Sequence, residues 1–182
     1  MRETDVLKLQ TIHPFDFITL QVLERWNCGR DETGMWSCWR DGEDEAGTLW
    51  IDFSAIPLAE GTSERKALMI AALQTGNFGL LAGHGKDGSE RIWRYTDESE
   101  EEGEAITLFR WHLYTIFPLA LVIVHYSLVF STSEVEDRLT KQIYGQMDDQ
   151  ISRTAIRFDS DAIQRHGYVR DNGNYTGRLP SD

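Results

Sequence analysis

Basic residues are scarce in this chain. Lys and Arg total 18 against 30 Asp and Glu, a formal net charge of -12. Such a balance repels nucleic-acid phosphates and anionic membranes, so neither is an expected partner. Cysteine is scarcer still, with only Cys28 and Cys38. They have no C-x-x-C spacing and no neighbouring histidine cluster, so they do not suggest a zinc site. They could pair if adjacent strands brought them together, but two cysteines in a chain this long more often stay reduced, at least one of them buried as a small hydrophobe. Long apolar runs are missing. The longest, Ile116 to Val124, has nine residues, whereas a membrane helix needs about 20. The opening MRETDVLKLQTIH shows no apolar signal-peptide core and no small-residue cleavage site, so the cytoplasm is the expected compartment. Phosphate-binding loops, G-x-S-x-G, H-E-x-x-H and dinucleotide fingerprints are all absent from the sequence. With 30 acids, carboxylate pairs arise by chance, and nothing selects one for glycoside chemistry. The expectation is a protein that is not an enzyme and needs no cofactor.

Large core-forming residues, by contrast, are plentiful: six Trp, eight Phe and six Tyr in 182 residues. A chain of this length and composition folds as one domain without a metal or disulfide staple. No internal repeat or low-complexity linker divides it. The pattern is mostly period two, then helical near the end. Phe15 to Val22 reads as a strand leading into Trp26 and a turn region around Gly29 and Gly34. Met35 to Arg40 reads as a second strand, and Asp41 to Gly47 as an acidic turn. Leu49, Ile51 and Phe53 mark a third strand, broken by Pro57. Thr62 or Ser63 caps a short helix that runs to about Leu73. Gly76-Asn77 stops it. Phe78 to Gly83 reads as a short strand, HGKDGSE as a loop, and Arg91 to Tyr95 as another strand. The acid-rich run from Asp97 to Glu104 reads as a solvated loop.

The clearest pattern follows. Thr107, Phe109, Trp111 and Leu113 alternate with Arg110, His112 and Tyr114. Val122, Val124, Tyr126, Leu128 and Phe130 alternate with His125 and Ser127. Phe117-Pro118-Leu119-Ala120 is the natural turn between two long strands. A turn centred there sets Trp111 opposite Tyr126, Phe109 opposite Leu128 and Leu113 opposite Val124. A slip of one residue would destroy that coincidence of apolar faces. Beyond it, Ser133-x-x-Glu136 predicts a capping box, and Val135, Leu139, Ile143, Met147 and Ile151 predict a helix extending towards Phe158. Gly145 in that helix implies close approach to the sheet. A polar, irregular tail is expected over 166–182. The fold class is therefore α+β: an antiparallel sheet of about six strands, with a long C-terminal helix and a short central helix packed on it. The core spans about residues 10–160.

This order of elements resembles the PsbP-like fold, shared by photosystem II extrinsic proteins, small bacterial lipoproteins and a Ran-binding nuclear-import factor. The pieces that carry the resemblance are Phe15 to Trp26, Met35 to Phe53, Ile106 to Phe130, and Ser133 to Phe158. The resemblance rests on element order and has no diagnostic motif. It implies a protein-binding module, since members are generally not enzymes, although fold alone does not fix function. The chain lacks the export signal and lipoprotein cysteine common among bacterial members.

Two constellations bear on function. The hairpin register that aligns the apolar faces also sets His112 opposite His125 on the other face, with Arg110 and Ser127 as the next pair. Cross-strand imidazoles at that separation could share a metal, but the sequence places no third ligand, and the plain alternative is a packed sheet face. Gly83-His84-Gly85 could permit close ligand approach, but reads more simply as a turn. Tyr95, Thr96 and the acids after them match no EF-hand loop. The second constellation is aromatic and acidic. Trp26, Trp36, Trp39 and Trp50 crowd into one stretch, with Met35 and Trp39 on one face of their strand and Trp36 and Cys38 on the other. Trp39 and Trp50 are the candidate anchors for a protein partner. Asp41, Glu43, Asp44 and Glu45, with Glu98, Glu100, Glu101, Glu102 and Glu104, are the candidate steering charges. The expected function is a non-enzymatic protein-interaction domain, such as an intracellular bacterial accessory or immunity-type protein that caps a basic partner. Two other readings stand beside it: a small-molecule or metal-binding protein using the histidine pair, and a structural subunit of an oligomer. The sequence does not set the oligomeric state.

Overall fold

The computed structural model describes residues 7–32, 34–39, 47–75 and 91–162, together with the backbone of 168–169 and 175–176. The acids Asp41, Glu43, Asp44 and Glu45 lie outside the described residues, as do Gly76-Asn77, the strand expected over Phe78 to Gly83 and the glycine-flanked His84.

The architecture is α+β and mostly antiparallel. One sheet has eight strands. Its main path places β10 (Tyr168–Val169) and β11 (Tyr175–Thr176) beside β5 (Thr48–Pro57). β8 (Ala120–Ser131), β7 (Glu104–Phe117) and β6 (Ile92–Glu101) follow. A hairpin of β3 (Asn27–Arg30) and β4 (Trp36–Trp39) joins the same edge of β5 that β11 uses, further towards its N-terminus. The smaller sheet has three strands: β1 (Leu9–Ile12), β2 (Ile18–Leu23) and β9 (Ala155–Ile156).

The β7–β8 register is the one that the apolar alternation demands. Trp111 pairs with Tyr126, Phe109 with Leu128, Leu113 with Val124, and Phe117 closes the turn against Ala120. The odd residues of β5 and β7 and the even residues of β8 thereby form one apolar face. Leu49, Ile51, Phe53, Trp111, Val124, Tyr126 and Leu128 bury there with Ile18, Leu20 and Val22 of the smaller sheet and with Phe15 and Phe17 of the turn that precedes β2. Helix α2 (Arg138–Ser152) packs on the same face through Ile143, Met147 and Ile151. Asp148 fixes its approach, accepting hydrogen bonds from Arg94 Nε and Trp111 Nε1, each at 2.7 Å. Helix α1 (Glu64–Thr75) lies on the opposite face, where Ala67, Leu68 and Ala71 cover Ile56, Leu121, Ile123 and Tyr114. Its start matches the Ser63 cap, with the Lys66 amide donating to Ser63 Oγ, and β5 ends at Pro57 as expected.

Several expectations are corrected. The strand expected from Phe15 begins at Ile18, because Phe15 and Asp16 turn the chain with φ of 55° and 63°. That turn pairs β2 with β1, a four-residue strand too short to register as periodicity. Gly29 sits inside β3, and the turn belongs to Asp31–Gly34. The acid run 97–104 is a hairpin. Glu102 and Gly103 form its two-residue turn, with φ of 52° and 87°, and β6 pairs with β7 out to Glu101–Glu104. Both φ values are positive, as a type I′ turn requires, and ladder bonds hold a strand whose side chains face water on both sides.

The C-terminal helix is shorter than expected. Thr132–Glu134 forms a single 3-10 turn, and α2 runs for 15 residues from an Asp137 cap. Ser133 Oγ bonds Ser131 Oγ, so no capping box forms at Ser133. The buried stripe is Thr140, Ile143, Met147, Gln150 and Ile151, which leaves Leu139 exposed. Gly145 approaches nothing: a Cβ there would meet no atom within 4 Å. Within the tail expected to be irregular, β10 pairs with β11, and β11 pairs with β5.

Candidate functional site

The polar face of the large sheet carries the sequence-predicted residues that the structure brings together. The register lays them out in rows across the strands. One row runs Ser37, Trp50, Ser127, Arg110, Tyr95, from β4 to β6. The next runs Asp52, His125, His112, Trp93. Trp39, opposite Thr48, lies on this same face. Helix α1 covers one end of the face. Elsewhere Trp50, Ser127, Trp93, Tyr95 and Arg110 each keep part of their surface open, and Trp39 is 37% exposed. The other two clustered tryptophans belong to the core side: Trp26 is buried and Trp36 packs against the core.

The expected histidine pair is present. His112 and His125 are register partners, their Nδ1 atoms 3.2 Å apart and their rings nearly perpendicular. Each Nε2 also has a partner: His125 Nε2 meets Ser54 Oγ at 3.0 Å, and His112 Nε2 meets the Tyr95 hydroxyl at 3.2 Å. Trp93 stacks on Tyr95 with ring centroids 4.3 Å apart and sets its edge against His112. The result is one hydrogen-bonded line of four side chains across β5, β8, β7 and β6. A bond between two Nδ1 atoms needs one protonated and one bare nitrogen, so both imidazoles are satisfied while neutral. Burial pushes the His112 pKa down to about 4, helped by the Arg110 charge. Burial likewise pushes His125 down to about 3, with His112 and Arg110 adding to the effect. Arg110 sits 3.6 Å from Asp97 and near the Tyr95 ring.

Chemically, this arrangement suits recognition. It offers flat aromatic surface, hydroxyls and one guanidinium on a rigid sheet. A metal would need both Nδ1 lone pairs and further ligands, and among the described residues no group of three or more His, Cys, Asp or Glu is placed to hold an ion. Among the same residues no helix is long and apolar enough to cross a membrane.

The acidic candidates fall into a second region. Glu98, Glu100, Glu101, Glu102 and Glu104 are all exposed on the β6–β7 hairpin, at the edge of the sheet. The hairpin continues the strands that carry Trp93, Tyr95, Arg110 and His112. Sequence reasoning missed Ser54, Trp93 and Tyr95 as partners of the histidines. The Glu102-Gly103 pair was the available signal, since a two-residue turn there places Trp93 opposite His112 and Tyr95 opposite Arg110.

No protein-family model matches the chain, and no curated protein matches it in sequence. Solved structures do match. LpqN of Mycobacterium tuberculosis, described as involved in cell envelope biogenesis, aligns with a TM-score of 0.51 at 16% identity, over 85% of this chain and 93% of LpqN. A Bacteroides thetaiotaomicron protein aligns with a TM-score of 0.50 at 13% identity, over 82% of this chain. The chain spans about half (49%) of that protein's length. Cyanobacterial PsbP from Synechocystis sp. PCC 6803 also matches, with a TM-score of 0.40 at 11% identity, over 86% of this chain and 97% of that one. At these identities the matches speak to fold alone.

Proposed function

We propose that this chain is a non-enzymatic protein-interaction module, an accessory protein that receives a basic protein partner on the polar face of its large sheet. The observation that carries the reading is the placement of Trp39 and Trp50 on one sheet face with Trp93 and Tyr95, beside an arm of exposed glutamates. Partly exposed tryptophans on a rigid support make effective anchors, because little side-chain freedom is lost on binding. The net charge of -12 and the glutamate arm favour a partner of opposite sign and speed its approach. The likeness to LpqN is one of fold and leaves the partner open.

The test is capture from native lysate at low and moderate salt, with the partner then purified and titrated against variants. Wild type should bind a basic protein with marked salt dependence. Reversing Glu98, Glu100 and Glu102 to Lys should slow association roughly tenfold or more and flatten that dependence. Replacing Trp39 and Trp50 by Ala should speed dissociation. Unchanged binding in both variants would refute the reading.

A further inference from the structure

The β3–β4 hairpin holds the chain's two cysteines against each other. Cys28 and Cys38 are direct register partners and both thiols are free. Directly opposed residues of an antiparallel pair have Cα atoms about 4.5–5.5 Å apart, inside the roughly 4.4–6.8 Å range that a disulfide spans. The hairpin is fixed by its own turn. Asp31 Oδ1 accepts the Met35 amide at 3.0 Å, and the Arg30 guanidinium donates twice to the Gly34 carbonyl oxygen. The register therefore sets the two side chains directly opposite each other across the hairpin. Their surroundings differ. Cys38 is fully buried in the core, whereas Cys28 is half-buried, its Sγ 3.8 Å from the Trp26 carbonyl oxygen.

We propose that Cys28 and Cys38 form a redox-active dithiol that closes to an intrachain disulfide on reaction with a low-molecular-weight disulfide such as oxidised glutathione. Cys28 is the attacking residue and Cys38 the resolving one. The Cys28 thiolate attacks one sulfur of the small disulfide, whose S–S bond breaks and releases one thiolate. The mixed disulfide on Cys28 is then attacked by the Cys38 sulfur, which gives up its proton. The Cys28–Cys38 bond forms and the second small thiolate leaves. Two protein thiols are oxidised and one disulfide is reduced to two thiols. The order of attack follows from access, since only Cys28 reaches solvent. The Cys28 pKa is lowered, chiefly by the hydrogen bond with the Cys38 sulfur, while that bond and burial push Cys38 up. This favours the same division of labour. Closing the bond would tie together the hairpin that holds Trp36 against the core and Trp39 on the polar face.

The experiment is incubation of the folded full-length chain with oxidised glutathione, followed by intact mass, peptide mapping and thermal unfolding. The expected product is a monomer lighter by two hydrogens, with a linked Cys28–Cys38 peptide and a Tm several degrees higher that dithiothreitol reverses. The Cys38→Ser variant should stop at a glutathione adduct on Cys28. The Cys28→Ser variant should react on the order of tenfold more slowly while folded. Accumulation of the mixed disulfide in wild type would overturn the proposal. So would a disulfide-linked dimer, or equal reactivity of the two variants. The wild-type mass alone decides the matter if either variant fails to fold.

Discussion

The two faces of the large sheet are built from the same strands and do opposite work. On one, Leu49, Ile51, Phe53, Trp111, Val124, Tyr126 and Leu128 bury beneath a second sheet and a helix. On the other, residues one position along carry Trp50, Asp52, Ser54, Arg110, His112, His125 and Ser127. The first face converts buried apolar area into stability. The second spends polar groups on hydrogen bonds made side to side, which hold residues in place and add little net free energy. The difference teaches where to look for function. A face that only needed solubility would carry Lys, Glu and Thr; this one carries paired imidazoles and aromatic rings held in fixed geometry.

The comparison breaks most severely through the core. Trp111→Ala removes a 1%-exposed side chain and one donor to Asp148. It should cost about 3–5 kcal/mol in urea unfolding, and a loss below ~1 kcal/mol would contradict the assignment of faces. Titration comes next. Burial holds the folded-state pKa values of His112 and His125 below the ordinary 6.5. The unfolded chain therefore binds more protons than the folded one between about pH 6.5 and the folded values. Stability is retained above that window and falls as pH drops through it, by roughly 2–4 kcal/mol. Replacing both histidines by Gln should flatten that slope in denaturant melts taken across the range, and an unaltered slope would place the titrating groups elsewhere. The smallest effect belongs to Trp50→Ala on the open face, expected to shift stability by about 1 kcal/mol or less. A loss like that of Trp111 would mean that Trp50 is a core residue and not an anchor.

Legibility in the sequence followed the same division. The β7–β8 register and the histidine pair could be read in advance because apolar and polar residues alternate over two long strands and only one register satisfies both faces. Of β6 only the first half could, as the strand over Arg91 to Tyr95, since Asp97 to Glu101 faces water on both sides and shows no period. β1 was too short to read. The capping box at Ser133 misled because the pattern is satisfied locally by a serine–serine bond before the helix begins at Arg138. Gly145 misled because its cost is accepted on an exposed turn of helix with nothing close by. Trp39 and Trp50 were nominated together as anchors, without a shared face. Their shared face depended on pairing Trp39 with Thr48, which local alternation does not specify.

The line from Ser54 through His125 and His112 to Tyr95 has a polarity. If His125 Nδ1 carries the shared proton, His112 Nδ1 must accept it. His125 Nε2 then accepts from Ser54, and His112 Nε2 donates to Tyr95. If the proton belongs to His112, every arrow reverses. No member can turn alone without setting two donors or two lone pairs against each other. The four side chains thus have two self-consistent hydrogen-bond arrangements, and a donor or acceptor brought to the Tyr95 hydroxyl would favour one of them.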